Sequence, residues 1–438
     1  MPLLFQPSLI QLTDIPLALY IHIPWCVKKC PYCDFNSHTL PTFDMQASTK
    51  QSEGSHKLSA TLFADYVDAL IADIDSQLPL LQGREITSIF IGGGTPSLLP
   101  IEQYQRLFAH LKQVLPLAAD IEVTMEANPG TLEHAPFAQY LAVGINRLSL
   151  GVQSFADSKL KALGRIHNAK QAQKAILVAK KVGFKRINVD LMHGLPQQTV
   201  AEALTDIRLA HQAGATHISW YQLTIEPNTV FYRNTPVLPD DDNLAEIEAQ
   251  GSQLLSELGY RNYEVSAWVS AQDIGSRHNI NYWQFGDYLA IGAGAHGKIT
   301  IAQTGDDKAE EPETIENNIE DIEAPEGLDI QRLQTGIYRF SKTRLPKDYI
   351  QYHHYPKMVG FAPIADDDIS GEFMLNALRL TQGISYRVYS ARTGLAVSDI
   401  VPIIHKLQQQ GLLVDKADWI EPTALGRRYL NQMLYAFL

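Results

Sequence analysis

The chain has 438 residues, 45% of them hydrophobic and 19% charged, which suits a globular protein with one large domain and one or two smaller ones. The formal net charge is −12, but residues 305–327 alone hold ten acidic groups against one lysine, so the rest is only slightly acidic. That distribution excludes a global basic field for nucleic acid, and no apolar run reaches the roughly 20 residues of a membrane helix.

At the amino end, Met1–Gln11 has neither a basic n-region nor a long apolar stretch, which points to the cytoplasm. Leu17–Ile23 reads as a strand, and Cys26-x3-Cys30-x2-Cys33 follows it directly. All three cysteines of the chain fall here. Such clustering is no disulfide framework; it fits a metal site in a reducing compartment. A tight loop of three thiolates can wrap one iron–sulfur cluster. Such clusters normally take four cysteines, so one iron is left open to water, a small molecule or another side chain. Zinc completed by His22 or His38 is the competing reading, which the x3 spacing fits less well.

Thr39–Ser59, rich in Ser, Thr and Gln, reads as a surface insertion, and Ala60–Leu81 carries helical apolar spacing. Strands are then predicted at Ile86–Ile91, Ile121–Met125, Ile145–Leu150, Ile187–Leu191 and His217–Leu223. Helices are predicted between them at Ile101–Leu115, Leu132–Val143, Ala169–Val182 and Val200–Ala213. Strands that are apolar on both faces and joined through helices predict parallel βαβ pairing. Six such units predict a parallel sheet or an incomplete barrel, an α/β fold.

Ligands of such folds bind at the carboxyl ends of the strands. The cysteine loop stands there, as does Gly92-Gly93-Gly94-Thr95-Pro96, whose glycines allow close backbone approach. Glu126, Gln153 and Asp190 end the third, fourth and fifth strands. Each polar residue alone is more often a satisfied structural group. Their agreement marks a site.

Gly305–Gly327 is acidic, has almost nothing to bury, and reads as a second insertion. From about Ala365 the texture changes to helices over Glu372–Leu380, Ser398–Gln409 and Leu425–Leu438, with short strands at Leu412–Val414 and Trp419–Pro422. That order predicts a small winged-helix-like α+β domain. Its eight acidic and seven basic groups give no DNA-binding face, so packing or partner binding is expected. The expected division is 1–238, 239–364 and 365–438.

Tyr20-Ile21-His22-Ile23-Pro24-Trp25-Cys26, the Gly-Gly-Gly-Thr-Pro run and Gly151-Val152-Gln153-Ser154-Phe155 together resemble the radical SAM (S-adenosylmethionine) superfamily. Within it they resemble the branch that contains oxygen-independent coproporphyrinogen III dehydrogenase and the HemW-type haem chaperones. The resemblance runs from about Pro16 to Leu438, the two insertions excepted. It implies a partial (β/α)6 TIM-like barrel with a [4Fe–4S] cluster on Cys26, Cys30 and Cys33, and SAM on the fourth iron. Matched position by position, SAM contacts fall on Tyr20, Tyr32, Gly93, Gly94, Thr95, Glu126, Gln153, Arg165, Asp190 and Thr224, the last in a looser motif. The chemistry agrees: Glu126 can accept from an ammonium, Asp190 from ribose hydroxyls, and Arg165 can pair with a carboxylate.

The dehydrogenases extend the motif to a fourth cysteine, where this chain has Phe35, which cannot replace a thiol. His278-Asn279-Ile280-Asn281-Tyr282-Trp283 resembles the H-N-x-x-Y-W motif of the chaperones. Imidazole is a usual axial haem ligand and aromatic rings pack on porphyrin, so the resemblance implies haem contacts at His278, Asn279, Tyr282 and Trp283. Without the family, a histidine beside aromatics is most often structural. Gly292–Gly297 is family-like too, but a tight turn accounts for its glycines.

The resemblance therefore implies a haem chaperone that hands haem to acceptor haemoproteins, supplied by an electron donor, with no net reaction on a substrate. Peripheral membrane contact stays open. The rival implied function is porphyrin biosynthesis, by a 5′-deoxyadenosyl radical acting on a porphyrinogen propionate. RNA modification would need a basic patch that is absent.

Overall fold

The computed structural model describes residues 4–40, 52–130, 137–302, 330, 333–353 and 358–438. Six parallel strands are paired in sequence: β1 (Leu17–Ile23), β2 (Ile86–Gly93), β3 (Leu117–Ala127), β4 (Arg147–Gln153), β5 (Arg186–His193) and β6 (His217–Gln222). The crossovers carry α1 (Ser52–Ser76), α2 (Ile101–Val114), α3 (Phe137–Val143), α4 (Ala169–Val182) and α5 (Val200–Ala213). These are the expected βαβ units. The first helix, however, begins at Ser52, inside the stretch expected as an insertion. Residues 41–51 of that insertion, the acidic insertion 305–327, and residues 132–136 of the expected third helix lie outside the described residues.

Local signals set the helix ends. Asn168 with Gln171, and Thr199 with Glu202, form capping boxes at the starts of α4 and α5. Gly183 and Gly214 take left-handed φ of 116° and 96° after their last turns, where a Cβ would be strained. Each N-cap is worth about 1 kcal/mol.

After β6 the chain stays in the same sheet. α6 (Asp241–Glu257) precedes β7 (Tyr260–Glu264) and β8 (Ala267–Ser270), and β8 pairs antiparallel with β6. α7 (Arg277–Trp283) then closes the amino end of the barrel, where Glu122 at the base of β3 accepts the N–H groups of Arg277 and His278. β9 (Asp287–Ile291) emerges on the free edge of β1 and pairs with it in parallel. β10 (His296–Ile301), β11 (Gly336–Ser341) and β12 (Val359–Pro363) continue antiparallel to complete 12 strands. The seventh parallel strand was not anticipated. Its partner lies some 270 residues away, and no local pattern carries that pairing.

Buried charge fastens this extension to the barrel. Asp287, fully buried, accepts from Arg84 Nη1 at 2.7 Å, Lys298 Nζ at 2.8 Å and the Thr300 N–H at 2.7 Å. Asp73 of α1 likewise accepts from Lys342 Nζ at 2.7 Å and the Tyr349 hydroxyl at 2.6 Å. Satisfied on several sides, these carboxylates specify how extension and barrel dock.

The last part builds a second core from Phe373, Met374, Tyr389, Ile404, Leu407 and Met433, and takes in Phe285 and Ile337 from the extension. Its helices include α8 (Asp366–Ala377), α9 (Tyr386–Thr393) and α10 (Val401–Gln409). Ile384–Ser385 pairs with Trp419–Ile420. The helix expected over Leu425–Leu438 is two, Ala424–Arg428 and Leu430–Tyr435. α9 was missed because its buried residues include Arg392 and Thr393, which break the apolar period. Arg392 is held by the carbonyls of Asp14 and Gln284. Among the described residues, no helix is long and apolar enough to cross a membrane.

Candidate functional site

The cysteine loop leaves β1 at the carboxyl end of the barrel, and its thiols converge there. Thr95 Oγ1 donates to Cys26 Sγ at 3.5 Å, Arg165 Nη1 to Cys30 Sγ at 3.5 Å, and Ser37 Oγ lies 3.7 Å from Cys33 Sγ. Burial, then the neighbouring sulfurs, push the Cys26 thiol up against the hydrogen bond from Thr95. Burial does the same at Cys33. Thiols held this way gain from a cation that takes their charge.

The glycine loop is shaped by this neighbour. Gly93 has φ 112°, its N–H donates to Glu126 Oε2 at 3.2 Å, and a Cβ on it would stand 2.5 Å from the His22 ring. The Gly94 N–H donates to the Ile23 carbonyl at 2.7 Å, and a Cβ on Gly94 would stand 2.5 Å from the Trp25 carbonyl oxygen. Gly94→Ala is therefore expected to push the loop off the cysteine strand. It should lower affinity for the SAM that the resemblance implies at least about tenfold, read by calorimetry on cluster-reconstituted protein.

Inside the barrel, alternate residues of the strands face one another. Asp190 accepts from Ser149 Oγ at 3.1 Å and Asn188 Nδ2 at 2.8 Å. Burial, then the Asp190 charge, push the Glu126 carboxyl up to about 8. The Tyr20 hydroxyl bonds His22 Nδ1 at 3.0 Å, and burial raises its pKa. Gln153 has a left-handed φ of 70°, a strain of roughly 1–2 kcal/mol for a non-glycine residue, and accepts from the Tyr221 hydroxyl at 2.9 Å. Arg165 Nη2 donates to the Gly151 carbonyl at 2.7 Å, while its buried Nε has no hydrogen-bond partner among the described residues. The Tyr32 ring packs 6.3 Å from Phe231, whose N–H donates to Pro31.

The structure thus brings Thr95, Arg165 and Tyr32 to the thiols, with Glu126 on the glycine loop and Tyr20 and Asp190 beside Glu126. Thr224 stands apart, exposed and bonded to Glu226 at 2.8 Å. Ser149, Asn188 and Tyr221 were overlooked. Polar residues at every second position of otherwise apolar strands are the signal that marks them. His22 is no zinc donor as placed, because its Nε2 bonds the Asn36 carbonyl at 2.9 Å and its Nδ1 is taken by Tyr20.

The H-N-x-x-Y-W residues lie on α7 toward the amino end of the barrel, where the His278 ring comes within 6.3 Å of the Tyr20 ring. His278 is 1% exposed, with Nδ1 3.3 Å from Ser88 Oγ and Nε2 3.3 Å from the Tyr282 hydroxyl. It stacks on Phe90, and burial, then the Arg147 charge, pull its pKa down to about 3. The Tyr282 ring packs 4.2 Å from Tyr288, Trp283 lies under the Arg379 guanidinium at 4.4 Å, and the Asn279 N–H caps onto Ser276. His278 is buried, while Asn279, Tyr282 and Trp283 are half-buried.

The sequence profile of the Radical SAM superfamily matches residues 20–210, and that of the HemN C-terminal domain matches 364–429. The chain is 44% identical over 423 residues to "Heme chaperone HemW" of Escherichia coli, covering 97% of this chain and 98% of that one. It is 43% identical over 427 residues to "Heme chaperone HemW" of Haemophilus influenzae, with the same coverage. In structure it is similar to coproporphyrinogen III oxidase (HemN) from Escherichia coli, a radical SAM enzyme. There the TM-score is 0.71 at 20% identity, over 99% of this chain and 94% of that one.

Proposed function

The chain belongs to the HemW haem-chaperone family of radical SAM proteins, and on that premise we propose that it binds haem and passes it to acceptor haemoproteins, with a [4Fe–4S] cluster and SAM at the cysteine loop. The observation that carries this reading is the full-length 44% identity to a haem chaperone, together with Phe35 where the dehydrogenases have a fourth cysteine.

Cys26, Cys30 and Cys33 are the cluster ligands in this reading. When bound, the cluster supplies an iron with an open coordination position, which SAM occupies and an electron donor can reach. The residues present fit both groups. Glu126 and Asp190 are neighbouring buried carboxyl groups, which suits a ligand bearing an ammonium and a sulfonium. Arg165 has a buried N–H to spare for the ligand's carboxylate and already donates to Cys30. Asp190 suits the ribose, and Tyr20, Tyr32, Gln153, Thr95 and the Gly93–Gly94 backbone complete the wall. Thr224 reaches the ligand only if its loop turns inward from Glu226. Free, half-buried thiols in a cluster-binding loop suit the reducing cytoplasm.

Anaerobically reconstituted protein should convert no coproporphyrinogen III when given SAM and a reductant, while haem titration gives a one-to-one complex. Conversion to protoporphyrinogen IX with SAM consumption would replace the chaperone by the dehydrogenase.

A further inference from the structure

Phe35 is 64% exposed although it is a large apolar side chain two positions beyond Cys33. Its segment is firmly held. Asn36 Nδ2 donates to the carbonyls of Ala293 and Arg344, each at 2.9 Å. Gly294 packs so closely that a Cβ there would stand 2.2 Å from Asn36 Nδ2. One asparagine thus joins the cysteine loop to the turn before β10 and to the loop after β11. Each segment offers solvent a different chemistry. Phe35 and Leu345, the latter 44% exposed, are apolar. His296 is an exposed imidazole at the first position of β10, and Arg344 is an exposed guanidinium. Beyond burial, the charges of Arg339 and Arg344 lower the proton affinity of His296, which places Arg344 within electrostatic reach of the imidazole.

Apolar surface flanked by an imidazole and a cation is the chemistry that recognises an iron porphyrin bearing carboxylates. His278 does not offer it, being buried with both ring nitrogens engaged. We propose that haem docks on the rim of the cysteine loop, its ring against Phe35 and Leu345, its iron on His296 and a propionate on Arg344. His278 is then a packing residue of the barrel floor. The assignment rests on the chaperone reading and names the haem site within it.

Full-length protein with its cluster reconstituted anaerobically is titrated with ferric haem, followed by difference absorption and electron paramagnetic resonance. His296→Ala should weaken binding at least about tenfold and lose the imidazole-ligated signature, which free imidazole restores. His278→Ala should keep that signature while lowering the unfolding midpoint. Arg344→Gln should weaken haem severalfold yet bind haem dimethyl ester, which has no propionate charge, as the parent does. Parent-like affinity and signature in His296→Ala, or their loss in His278→Ala alone, overturns the site and leaves the chaperone standing. A parent that takes up no haem removes both.

Discussion

Serine at Cys30 is expected to strip the reconstituted protein of nearly all its iron and broad visible absorption, and of SAM binding with them. The cluster is already one protein ligand short of the usual four, and the chain has no other cysteine to recruit. A hydroxyl is a harder, far less acidic donor than a thiol, and two thiolates cannot hold the remaining irons. Arg165 would also lose the sulfur its Nη1 approaches at 3.5 Å. Iron content should fall from about four per chain to near zero, with far-UV circular dichroism unchanged, because the thiols lie on a loop outside both cores. A site that bound zinc would instead be colourless in the parent and would not bleach on reduction.

Asp287→Asn should cost about 3–5 kcal/mol, because it leaves Arg84 and Lys298 buried without their shared counter-charge. Burial pushes the Asp287 carboxyl up, but Lys298 and Arg84 pull it net below the ordinary carboxylate range. Its folded value thus lies below the unfolded one of about 3.9. The stabilisation is therefore fully present above about pH 5 and is lost as pH falls through the folded value. Denaturant titrations should show a wide gap between parent and variant at pH 7 that narrows in acid. A gap equally wide at low pH would mean that the carboxylate's charge is not what holds β9.

How much of this was legible depends on the range of the interactions. The six barrel strands and their helices showed in the sequence because burial on both faces writes continuous apolar runs. The strand-end residues followed, since parallel topology sends every carboxyl end to one side. Pairing of β9 with β1 was not legible, because a register such as Leu19 to Leu289 leaves no local trace. The burial of His278 was hidden for the same reason. Its motif names the side chain, but only the fold sets it under Phe90 and against Ser88. The turn expected over Gly292–Gly297 is present, with Gly292 and Gly294 at φ 107° and 78°, but the close packing of Gly294 on Asn36 of the cysteine loop was not legible, because the two lie far apart in sequence.

The most direct test is haem transfer. The cluster-loaded protein, charged one-to-one with haem and supplied with SAM, is mixed anaerobically with an apo-cytochrome of the b type. The acceptor's own absorption is followed while 5′-deoxyadenosine is counted. The chaperone reading predicts that the acceptor fills faster than it does from the same haem on the Cys30→Ser protein, with far less 5′-deoxyadenosine formed than haem delivered. Haem that stays on the protein, or reaches the acceptor equally fast without the cluster, would contradict it.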